Sequence, residues 1–63
     1  MKFVDYELRM NIILEMLLLS YFLNDETKMK DISLKYISRG YPAEQLHILE
    51  VAAKNIYKIT DLI

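Results

Sequence analysis

Cysteine is absent from this chain, and glycine, proline and histidine occur only once each in its 63 residues. Without cysteine there is no disulfide staple and no thiolate site, and a lone imidazole, His47, cannot build a zinc centre unaided. An excess of either charge is missing too. Eight Lys plus Arg face nine Asp plus Glu, a formal net charge of −1, so no general field draws the chain towards nucleic acid or an anionic membrane. Ser20, Ser33 and Ser38 have no link in the sequence to His47, which leaves a nucleophile without a base. Neither a glycine-rich phosphate loop nor a calcium loop occurs, and the carboxylates form no obvious acid/base pair. The expectation is a protein that is not an enzyme, with no catalytic residue, no cofactor and no metal.

What is present is hydrophobic side chain: 54% of the residues, against 27% charged. A disordered segment is poor in such groups, so the chain should fold. At this length a single core is near the lower limit of self-sufficiency. With disulfides and metals excluded, the remaining aid is association with another chain.

The expected fold is all-α, a compact three-helix unit over residues 5–23, 26–39 and 42–61, in one domain spanning 1–63. The breaks are the polar cluster Asn24-Asp25-Glu26-Thr27 and the turn Gly40-Tyr41-Pro42. No segment keeps the period-two alternation of a strand. The run Ile12 to Leu23 is apolar apart from Glu15 and Ser20, but it is shorter than the roughly 20 residues of a span, and extending it backwards meets Asn11, Arg9, Glu7 and Asp5. No basic n-region or small-residue cleavage site marks a signal peptide. A membrane role is disfavoured, and the cytoplasm is the expected compartment.

The first helix is apolar almost all round. Glu7, Asn11 and Glu15 share one narrow arc, and Lys2, Arg9 and Ser20 make a thin polar seam opposite. Two apolar surfaces remain, one of them carrying Leu14, Leu18 and Phe22 at i, i+4, i+8. One surface can face the rest of the chain, and the other then needs a partner. On the second helix Met29, Ile32, Tyr36 and Ile37 form the expected core stripe, with Lys28, Asp31, Lys35 and Arg39 on the solvated face. Leu34 lies off both. On the third, Leu46, Leu49, Ala53 and Ile56 form the seam, continued by Ile63. Ile48, Ala52 and Ile59 widen it, while His47, Glu50, Lys54, Lys58 and Asp61 share the wet face. The seam suits antiparallel packing. Tyr6, Met10, Met16, Tyr21, Tyr36 and Tyr57 are assigned to packing. Tyr41 in its turn and one edge of Phe22 are expected to be partly exposed.

Two functional classes follow. The leading one is a small regulatory or adaptor protein that binds and modulates a larger protein and self-associates as a homodimer, with Leu14, Leu18, Phe22, Leu34 and Tyr41 as candidate dimer or partner contacts. The alternative is a helix-turn-helix-like DNA-binding regulator. From Ile32 to Val51, Gly40 occupies the place of that motif's turn glycine, and Leu46 and Leu49 fall where its second helix packs on the first. Against it, Tyr36 stands where the motif usually has a small residue. The would-be reading positions Ala43, Glu44, His47 and Ile48 also include no Lys or Arg, so nucleic acid is disfavoured.

Overall fold

The computed structural model describes residues 6–61. The first helix begins as α1, Tyr6–Met16, and runs directly into one wider turn of π-helix, Leu17–Tyr21. Then follow α2, Thr27–Ser38, and α3, Ala43–Asp61. No strand occurs among the described residues, so the all-α expectation holds with each boundary close to its anticipated place. Lys2, Asp5 and Ile63, which entered the sequence argument, lie outside the described residues.

Local chemistry explains where the helices stop. After the π turn the first helix ends in a Schellman motif. Asn24 takes φ +56°, its amide donates to the Tyr21 carbonyl at 3.2 Å, and the Asp25 amide donates to the Ser20 carbonyl at 2.9 Å. The same pair of bonds closes α2. Gly40 sits at φ +93°, its amide bonded to the Ile37 carbonyl and that of Tyr41 to the Tyr36 carbonyl, both at 2.9 Å. Asparagine and glycine are the residues that tolerate this left-handed conformation. At the start of α2 the Asp25 carboxylate accepts from the Thr27 amide at 3.2 Å and from the Thr27 hydroxyl at 2.5 Å. It thereby satisfies a donor that the helix cannot. The Thr27 hydroxyl above all, with the Thr27 amide and Lys28 adding to it, holds the Asp25 carboxyl below its ordinary range. At α3 the Pro42 carbonyl accepts from the Leu46 amide at 3.1 Å, placing Pro42 at the cap, one position before the first helical residue.

The helices run up, down and up. Glu15 of α1 meets Lys35 and Tyr36 near the end of α2, and Tyr21 stacks on Tyr57 near the end of α3. α2 therefore runs against both neighbours, and α3 runs along the first helix. The buried core draws Ile12, Met16 and Leu17 from the first helix, Ile32 and Tyr36 from α2, Tyr41 from the turn, and Leu46, Leu49 and Ala53 from α3. Leu8, Ile13, Tyr21, Met29 and Tyr57 pack against it, half-buried.

Four expectations are corrected. Tyr41 is buried at 4% exposure rather than exposed. It holds the position after the left-handed glycine, and a Schellman turn folds that residue back towards the one five earlier, here Tyr36, which shares its core. Ser20 is buried as well, because it continues the i, i+4 line of Ile12 and Met16 and the side opposite Glu7, Asn11 and Glu15 is the side that faces the bundle. Ile37 and Ile56 are exposed. Tyr36 and Tyr57, the larger neighbours, take the inward positions, the latter directed by its stack on Tyr21. Tyr6 and Met10 are likewise exposed, since Leu8, Ile12 and Ile13 supply the inward positions at that end of α1.

Candidate contact surface

Two helices packed on one side of α1 leave its outer side bare. Met10, Leu14 and Leu18 follow one another at intervals of four along that side, and they are 55%, 44% and 56% exposed. Regular α spacing would carry the row on to Phe22. The π turn changes this. Its bond runs from the Phe22 amide to the Leu17 carbonyl at 2.9 Å, five residues back, so Phe22 stands above Leu17 and is swung towards α3. There its ring meets Tyr57 edge-on at 5.4 Å between centroids. Leu23 becomes the residue above Leu18, and it is exposed.

Of the candidate contacts from the sequence, Leu14 and Leu18 are together on the bare row. Phe22 is half-exposed beside it, Leu34 is exposed on α2, and Tyr41 is inside the core. Met10 and Leu23 join this row as exposed apolar residues, and Leu19, next to Leu18 along the turn, is exposed as well. Met10 was findable, since it lies four before Leu14. Leu23 was not, because nothing in the pattern marks where a helix widens.

The polar arc of the first helix has a structural task. The Lys35 ammonium lies 2.6 Å from one oxygen of Glu15. The Tyr36 hydroxyl donates to the other at 3.2 Å, tying α2 to α1 beside the bare row. Burial, first, and the Glu15 carboxylate, second, push the Tyr36 phenol above its ordinary value. Lys35 also lies 4.9 Å from the Tyr36 ring centroid and the Arg39 guanidinium 5.8 Å from it, so the ring is flanked by cations.

On the other flank Ser20, Tyr21, Glu26, Met29, Glu50 and Lys54 line an open notch of about 280 Å³. That is at the small end of ligand sites, which run to roughly 300–1,000 Å³. Burial, followed by the carboxylates of Glu50 and Glu26, raises the Tyr21 phenol. The Ser20 hydroxyl oxygen is sealed beneath with no hydrogen-bond partner.

Glu44 and His47 stand three apart on α3, an E-x-x-H spacing that could present two metal ligands on one helix face. No group of three or more potential metal ligands occurs among the described residues, and His47 is exposed, paired loosely with Glu50 at 3.8 Å. Ala43, Glu44, His47 and Ile48, the would-be base-reading positions, are all exposed at the start of α3. Among the described residues no helix is long and apolar enough to cross a membrane.

Compared with known proteins, the chain matches no family model, no curated protein and no solved structure.

Proposed function

We propose that this protein is a small non-enzymatic adaptor or regulator that works by protein–protein contact, pairing with a second copy of itself through the first helix and modulating a larger partner. The observation that carries the reading is the bare row of Met10, Leu14 and Leu18, extended by Leu23. Leu34 and Ile37 on α2 and Ile48, Val51, Ile56 and Ile59 on α3 are exposed too, but the row on the first helix runs at an unbroken spacing of four beside a polar edge at Glu7 and Asn11, the composition of a contact site. A twofold pair needs only one self-complementary patch, and a row running along a helix can meet its own copy antiparallel, where the two helix dipoles oppose favourably. Sedimentation at concentrations from about 1 to 500 μM tests this against the affinities expected of a transient pair. A mass that doubles with concentration supports the reading, and a monomer throughout refutes the self-pairing. The DNA-binding alternative predicts retardation of random-sequence DNA that weakens steeply with salt. The exposed start of α3 carries the acidic Glu44 and no Lys or Arg among the would-be reading positions, which makes this alternative the weaker of the two.

A further inference from the structure

The π turn gives the first helix two possible registers, and they differ in where Phe22 stands. On an uninterrupted α-helix Phe22 would lie above Leu18, on the bare row, and Tyr21 above Leu17. In the structure the bond from the Phe22 amide skips back to Leu17, which brings Tyr21 above Met16 and Phe22 above Leu17. Both rings then reach α3. Tyr21 stacks on Tyr57 at 5.2 Å with 17° between planes, and Phe22 meets the same ring at 5.4 Å and 78°. Tyr57 is thus the common anchor of the π register.

Two features show that this register is lightly held. Phe22 stays 49% exposed in spite of its aromatic contact. Ser20, inside the same turn and 2% exposed, has a hydroxyl with no partner. A buried unsatisfied group opposes folding, and here it sits where the backbone already departs from α geometry. The change has a cost on the flanking structure: the α register gives up the stack of Tyr21 on Tyr57 and shifts the bonds by which the Asn24 and Asp25 amides close the helix, so contact at the row has to offset both.

We propose that Leu17–Tyr21 is a register switch. In the π register Phe22 is docked on Tyr57. In the α register Phe22 leaves Tyr57 and joins Met10, Leu14 and Leu18, completing the contact row at an unbroken spacing of four. The inference rests on the proposed contact function for its purpose but not for its existence. Pairing at the row stabilises the α register, because only there does the phenylalanine ring contribute to the contact.

The test combines relaxation-dispersion NMR of the native protein with sedimentation of a variant lacking Leu19. Removing one residue from the π turn lets an α-helix place Tyr21 above Met16 and Phe22 above Leu17, so the docked arrangement is kept without the switch. The native protein is expected to show millisecond exchange at residues 17–22 and at the Tyr57 ring. The deletion variant should lose that exchange, retain the contacts of both rings with Tyr57, and associate at least tenfold more weakly. Phe22→Ala should weaken association of the native chain and leave that of the deletion variant unchanged. Absence of exchange in the native protein overturns the switch, whether or not the deletion variant folds. A folded deletion variant that associates as tightly as the native chain overturns it too. A native chain that exchanges as described but remains monomeric refutes the contact function and leaves the switch standing.

Discussion

Replacing Leu18 with glutamate places a charge at the middle of the bare row. Leu18 is 56% exposed in the isolated chain, so a twofold contact covers about half a leucine side chain on each protomer. Full burial of a leucine contributes about 1.5–3 kcal/mol, which makes the two halves together worth about the same 1.5–3 kcal/mol. The substitution removes that contribution and brings two carboxylates near the twofold axis, adding about 1 kcal/mol of repulsion even at the dielectric of water. The sum predicts a dissociation constant raised by roughly two to three powers of ten. Folding is a separate matter. An exposed position away from caps and buried bonds changes stability by about 0.5 kcal/mol or less, a shift of a few degrees in melting temperature for a domain of this size. The assay is sedimentation equilibrium over a concentration series, with thermal melting by circular dichroism as the control for folding. Ile59→Glu on α3 is the matched control, since Ile59 is exposed and apolar but off the row. Unchanged association in Leu18→Glu, or an equal loss in Ile59→Glu, would refute the assignment of the contact to the first helix.

The remaining predictions concern the supports of the fold. Glu15→Ala should cost about 1–2 kcal/mol in urea unfolding, because the buried Tyr36 hydroxyl loses its acceptor. Glu15→Gln keeps an acceptor and loses only the pair with the partly exposed Lys35, so its cost should stay below about 1 kcal/mol. Equal effects of the two would show that the charge, rather than the hydrogen bond, is what matters. Gly40→Ala should destabilise by about 1–2 kcal/mol through backbone conformation alone, since φ is +93° and an added Cβ meets nothing within 4 Å. Tyr36 has its folded pKa raised, so its contribution is complete below the unfolded value of about 10 and is lost as pH rises through the folded value. Alkaline unfolding should therefore soften in Tyr36→Phe. Asp25 is lowered from 3.8, so its capping contribution is present above that value and disappears as pH falls through the folded pKa. An amide-exchange measurement at the start of α2 should show that turn loosening first in acid.

Much of this fold is written in local pattern. The polar cluster at Asn24–Thr27 and the Gly40-Tyr41-Pro42 turn divide the chain, since residues that accept left-handed or capping conformations stop helices wherever they occur. The inward lines Ile12–Met16, Ile32–Tyr36 and Leu46–Leu49–Ala53 follow from helical periodicity. The surplus of apolar surface on the first helix is equally local, and Leu14 and Leu18 remain on the outer side as the spacing implies.

Position in three dimensions decided the rest. Spacing alone puts Tyr36 and Ile37, or Ile56 and Tyr57, equally near the core, and only the competition for space between helices chose the aromatic residue each time. Tyr41 went inside because the turn that begins at Gly40 folds it back on α2, an effect of backbone geometry that hydropathy does not carry. Ser20 was drawn in by the packing of its neighbours at the cost of an unmet hydrogen bond. The π turn shows the division most clearly. Its five residues have an ordinary helical composition, and nothing in LLLSY marks a widened turn. It is the Tyr57 ring, 36 positions beyond Tyr21, that holds Tyr21 and Phe22 against α3 and so moves one aromatic side chain off the contact row. The residues that form helices are set by neighbours along the chain, and the face each helix shows is set by neighbours across it.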